Sequence, residues 1–82
     1  MNDAELRQTF LDVLCDIAPE VDPAAVPPDK DLREELDLDS MDFLNVLVAL
    51  HERLGVEIPE ADASRLTTLD GGIAYLKAKL DS

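Results

Sequence analysis

Residues 37–55 read Asp37-Leu38-Asp39-Ser40-Met41-Asp42-Phe43-Leu44-Asn45-Val46-Leu47-Val48-Ala49-Leu50-His51-Glu52-Arg53-Leu54-Gly55. Wound at about 100° per residue, Phe43, Val46, Leu47, Leu50 and Leu54 fall on one arc, enough for the buried face of a surface helix. The spacing predicts a helix from Asp39 or Ser40 to Leu54, closed by Gly55, with Pro59 preventing a restart. Met41, Leu44 and Val48 lie on a neighbouring arc beside polar Asn45, so the helix carries more apolar residues than its core face needs. Two readings stand: they widen the buried face, or they form an exposed apolar patch for a partner.

Working outward toward the N-terminus, Leu6, Phe10, Val13, Leu14 and Ile17 recur at helical spacing, and Asn2 followed by Glu5 reads as a capping box. Pro19 ends this first helix. Pro23, Pro27 and Pro28 then forbid a regular helix or central strand, leaving a long connection. Its second half, Asp31 to Leu38, carries Leu32, Leu36 and Leu38, which predicts an ordered loop tacked onto the core, with room for one helical turn. On the other side, Glu60 to Arg65 suits one or two helical turns. Thr67 or Thr68 is placed to cap a last helix whose inward face is Leu69, Ile73, Leu76 and Leu80. Gly71 and Gly72 each cost that helix about 1 kcal/mol relative to alanine, so its first turn is expected to fray. The fold expected is all-α: a small four-helix bundle of three main helices plus one short helix, with a long ordered loop between helices one and two. Residues 1–82 are read as a single domain.

Eighty-two residues bury only about 60 to 65% of the surface their unfolded chain exposes, leaving little core from which to carve a catalytic pocket. Nineteen acidic against seven basic residues give a net charge of −12. That field repels nucleic acid and anionic lipid and attracts basic surfaces. A hydrophobic fraction of 46% is too high for a disordered acidic tail, so the charge sits on a folded body. Cys15 is the only cysteine, which precludes an internal disulfide. The N-terminus is acidic where a signal peptide is basic, and no apolar run approaches the roughly 18 residues of a membrane span. A cytoplasmic, monomeric protein with no membrane insertion is expected.

Ser40 stands where the proline-rich loop turns into the second helix, flanked by Asp37, Asp39 and Asp42. Its plain role is helix capping. A catalytic serine needs a base, and the sole histidine, His51, lies three turns along the same helix, about 16 Å away by helical rise. A hydrolase triad is excluded. One cysteine and one histidine do not make a soft metal site, and the three aspartates lack the spacing and central glycine of a calcium loop. Gly71-Gly72 follows no predicted strand and so forms no phosphate cradle.

Leu38-Asp39-Ser40-Met41-Asp42 at the head of this helix resembles the acyl carrier protein family, whose signature is Asp-Ser-Leu; Met41 replaces the leucine with another apolar residue. The likeness continues through Glu57-Ile58-Pro59 and Thr67-Thr68-Leu69 into Ile73-Ala74-Tyr75-Leu76, covering about Leu32 to Leu80. The resemblance implies that Ser40 accepts 4′-phosphopantetheine from coenzyme A by way of a phosphopantetheinyl transferase, with Asp39 directing the modification. It implies a carrier rather than an enzyme. Acyl intermediates would ride as thioesters to the acyl-loading, condensing and acyl-transfer enzymes of fatty acid, lipid or secondary-metabolite synthesis. It further implies that acidic residues on this helix meet basic patches on partner enzymes, so the expected docking face comprises Asp42, Asn45, His51 and Glu52 together with the apolar Met41, Leu44 and Val48. Asn45 and His51 stand where acids are usual in the family, while Asp42 and Glu52 remain, which suggests a specialised carrier. An aminoacyl or peptidyl carrier shares the fold and the serine. A different class, an acidic helical adaptor or nucleic-acid mimic, would use Ser40 only as a cap.

Overall fold

The computed structural model describes residues 2–81; Met1 and Ser82, the ends of the expected domain, lie outside the described residues. Four α-helices follow in order: α1 (Asp3–Ile17), α2 (Leu32–Glu35), α3 (Ser40–Leu54) and α4 (Leu69–Asp81), with 3-10 turns at Pro23–Ala25 and Glu60–Leu66. The three long helices are those the apolar spacing predicts. The expected short helix at Glu60 to Arg65 is the second 3-10 segment, and the one helical turn allowed for in the loop is α2.

Local chemistry sets the ends of these elements. The Asn2 side chain accepts the Glu5 N–H at 2.8 Å while Glu5 Oε1 accepts the Asn2 N–H at 3.2 Å, a complete capping box. Gly55 closes α3 in the left-handed region, φ 67°, and returns its N–H to the His51 carbonyl at 2.8 Å. That conformation carries no Cβ penalty in glycine. α2 is a single turn capped by Asp31, whose carboxylate takes the Arg33 N–H at 2.9 Å and its guanidinium at 3.0 Å. The Arg33 hydrogen bonds hold the Asp31 carboxyl below the usual carboxylate range. Among the described residues Asp37, at φ 55°, is the one non-glycine residue in the left-handed region, and Leu38 returns its N–H to the Arg33 carbonyl at 3.0 Å. This Schellman-type stop turns the chain from α2 into α3 within four residues.

One apolar core joins α1 (Leu6, Phe10, Leu11, Val13, Leu14), α3 (Phe43, Val46, Leu47, Leu50) and α4 (Leu69, Ile73, Tyr75, Leu76), with Ile17, Leu54 and Leu80 packed at its margin. The long loop is ordered as expected. Val26, Leu32 and Leu38 are buried, and two backbone bonds tie it to the start of α4: Leu32 N–H to the Thr67 carbonyl at 2.7 Å and Asp70 N–H to the Pro28 carbonyl at 3.0 Å. The second satisfies one of the N–H groups a helix start leaves without an internal partner. Tyr75 pins the 3-10 turn to α4 by donating its hydroxyl to Asp62 Oδ2 at 2.6 Å. Burial, reinforced by the Asp62 carboxylate, pushes its pKa up to about 12.

The first turn of α4 departs from the expected fraying. Gly72 is buried, and a Cβ placed there would lie 2.3 Å from Phe10 Cε2. Glycine here lets α1 and α4 approach closely. The Gly71 N–H is taken by Thr68 Oγ1 at 3.0 Å, which identifies the capping threonine as Thr68. The helix surrenders propensity at these two positions and gains packing.

Candidate functional site

The site begins with the way α3 starts. Asp39 is the N-cap residue, and its carboxylate accepts the Asp42 N–H at 2.8 Å. The capping role that the sequence offered to Ser40 therefore belongs to Asp39, because only the residue just before the helix has the extended backbone that lets its side chain fold back onto the first-turn N–H groups. Ser40 is the first helical residue, exposed, and among the described residues its hydroxyl makes no hydrogen bond. A nucleophilic oxygen is thus presented at the positive end of a four-turn helix, where a phosphate ester meets the helix dipole and unpaired backbone N–H groups. Asp37 and Asp39 are exposed beside it and Asp42 is half-buried, so incoming groups meet a negative rim.

The second arc of α3 is exposed. Met41, Leu44 and Val48 are 66%, 50% and 47% accessible, whereas Leu47 is 7% accessible. Burial is therefore confined to the first arc, and the reading in which these residues widen the core face is set aside. They line, with Ser40, a groove of about 560 Å³ between α3 and residues of the segment from Glu57 to Ala63. Ser40, Met41, Leu44, Val48 and His51 form the α3 wall, Phe43 and Leu47 reach it from the core side, and Glu57, Ile58, Glu60 and Ala63 supply the opposite wall. Of the residues expected at the docking face, Met41, Leu44, Val48 and His51 come together on this groove. Asp42, Asn45 and Glu52 stand outside its lining.

The opposite wall is what sequence reasoning missed. Glu57-Ile58-Pro59 carries part of the family likeness, yet nothing in its linear pattern places it across from Ser40. His51 is exposed on the last turn of α3. Its Nδ1 lies 2.8 Å from the Val56 carbonyl oxygen. A carbonyl only accepts, so Nδ1 carries the proton and the ring braces the turn from α3 into the far wall. Among the described residues no cluster of three or more His, Cys, Asp or Glu side chains is placed to hold a metal, and no helix is long and apolar enough to cross a membrane.

Residues 5–76 match the family described as the phosphopantetheine attachment site. An acyl carrier protein of Thermosynechococcus vestitus is 32% identical over 80 residues, 98% of either chain. A polyketide-8 synthase acyl carrier protein 2 of Streptomyces avermitilis is 37% identical over 76 residues, 93% of this chain and 82% of its own. Among solved structures, the acyl carrier protein of Enterococcus faecalis superposes with a TM-score of 0.80 over 96% of this chain and 99% of that one, at 19% identity, a likeness of fold. The residues around Ser40 fit the group this family carries: an unbonded hydroxyl at a helix N-terminus, and beside it an apolar groove within the size range of small-molecule sites.

Proposed function

The chain belongs to the acyl carrier protein family, which carries covalent 4′-phosphopantetheine, and we propose that Ser40 is the residue to which that group is attached. The observation that carries this reading is the division of labour at the head of α3. Asp39 caps the helix, so the Ser40 hydroxyl is spare, on an exposed residue that lines the groove. Attachment forms a bond between Ser40 Oγ and the β-phosphorus of coenzyme A. The bond from that phosphorus to the nucleotide breaks, the 3′,5′-ADP leaves with the electron pair, and the hydroxyl proton passes to a base on the transferase.

The thiol of the arm supplies the thioester chemistry, and this chain supplies position. The start of α3 holds the phosphodiester, with its negative charge offset by the helix dipole. Asp39 serves twice, as cap and as part of the surface the phosphopantetheinyl transferase reads. Met41, Leu44 and Val48 give partner enzymes an apolar contact. Asp42 and Glu52 on the same helix complement basic patches on the acyl-loading, condensing and acyl-transfer enzymes. Asn45 and His51, where acids are usual, mark a specialised docking face. The protein itself is read as a non-enzymatic, monomeric carrier of the cytoplasm, its 82 residues one carrier domain. Incubation with coenzyme A and a broad-specificity phosphopantetheinyl transferase, followed by intact mass measurement, tests the reading. One phosphopantetheine is expected on the parent and none on Ser40→Ala. Modification of the Ser40→Ala protein would overturn the assignment.

A further inference from the structure

Ser40 and His51 stand on one line of α3. They are eleven positions apart, which at about 100° and 1.5 Å per residue leaves an offset of only about 20° around the helix and a rise of about 16 Å. Both line the same groove, with Leu44, Leu47 and Val48 between them. A phosphopantetheine arm on Ser40 has about fourteen bonds from Oγ to sulfur, and at the rise per bond of an extended peptide chain it reaches roughly 17 Å. An arm of that length laid along the groove would reach His51.

The chemistry at that end is specific. The Nδ1 proton of His51 is committed to the Val56 carbonyl, so the neutral ring offers Nε2 as a bare acceptor. The other titratable side chains lining the groove are Glu57 and Glu60, on the wall opposite. On α3 itself the neighbours are Glu52 and Arg53, the latter paired with Asp16 of α1. The glutamates disfavour a thiolate, and His51 is the one lining side chain with a ring nitrogen left open to accept a proton.

We propose that His51 is a positioning residue for the free thiol of the arm, its Nε2 accepting the S–H hydrogen bond at the end of the groove. The inference rests on attachment at Ser40. When the thiol ionises, its proton passes from sulfur to Nε2 and the resulting imidazolium pairs with the thiolate, so the arm is held and its thiol titrates lower than an unassisted one.

The test uses the holo protein in a Cys15→Ser background, so that the arm carries the only thiol. Its rate of reaction with an aromatic disulfide is followed from acid to alkaline pH, with and without His51→Gln. One pKa unit changes the thiolate fraction tenfold, but a less basic thiolate is about threefold less nucleophilic, so the expected loss in His51→Gln at neutral pH is about threefold, with the profile displaced to higher pH. A second readout needs no change at His51: its imidazole C–H resonances and their titration should differ between the holo protein and the armless Ser40→Ala protein. Superimposable pH profiles together with unchanged imidazole resonances, in protein shown by mass to carry the arm, would overturn the role of His51 while leaving attachment intact. Absence of the arm by mass would overturn the attachment and this inference with it.

Discussion

Replacing Gly72 by alanine should destabilise the fold, although helix propensity alone favours the change by about 1 kcal/mol. A Cβ at Gly72 would lie 2.3 Å from Phe10 Cε2, 3.0 Å from Cζ and 3.3 Å from Cδ2. The far end of a mobile side chain could absorb such a contact, but Phe10 is fully buried, with Leu6 and Leu14 of α1 buried beside it in the same core. Either the ring leaves its rotamer or α1 and α4 separate. Overpacking of this kind costs about 1 to 3 kcal/mol, and a shift of α4 would also strain the Asp3–Lys77 and Arg7–Asp70 ion pairs, which are exposed and weigh little. Set against the propensity gain, the net loss is up to about 2 kcal/mol, or a fall of up to roughly 16 °C in Tm for a domain of this size. Urea melts of Gly72→Ala measure it. Combining the change with Phe10→Leu, which removes the ring edge, should cost less than the sum of the two single losses. A Gly72→Ala protein more stable than the parent, or strict additivity with Phe10→Leu, would refute the close approach of α1 and α4 at this point.

Three further outcomes follow from the site and its supports. Asp39→Ala should cost about 1 kcal/mol by removing the cap, whereas Ser40→Ala should stay within about 0.5 kcal/mol; chemical denaturation of the two variants checks which residue caps α3. Leu47→Ala, at the buried floor of the groove, should lose roughly 2 to 5 kcal/mol, while Val48→Ala on the open wall should lose under about 1 kcal/mol; equal large losses in urea would mean that the apolar patch is core. Tyr75 has a folded-state pKa raised from 10.0 to about 12, so its contribution to stability is complete below pH 10 and drains away as pH climbs toward 12. Tyr75→Phe should abolish that alkaline dependence in thermal melts and, by leaving half-buried Asp62 without its donor, cost about 1 kcal/mol at neutral pH.

Much of the architecture is legible in the chain. Apolar spacing, the Asn2-to-Glu5 capping box, Gly55 and the prolines are local signals, each acting within a turn or two of helix. They therefore locate α1, α3 and α4, the ordered loop between the first two, and the stripe of α3 on which Ser40, Leu44 and Val48 stand. The exposed arc of α3 is legible only as an excess of apolar residues. Spacing puts Leu47 on the core face, but whether Val48 is buried as well depends on how α3 packs against its neighbours, and its 47% exposure against 7% for Leu47 resolves it.

What the tertiary structure decided is each feature that needs two distant segments. Gly72 reads in sequence as a weak point of α4, and becomes the place where a neighbouring helix fits, because the distance to Phe10 is set by the packing of α1. Ser40 reads as a cap until the backbone shows that Asp39 holds the extended conformation and takes the Asp42 N–H. Sequence places Ser40 and His51 on one side of a helix, but only the folded chain brings Glu57, Ile58 and Ala63 across from them to turn that side into a groove. Periodicity records which way a residue points along its own helix; it carries no information about what stands opposite, since that is fixed by the packing of the whole core.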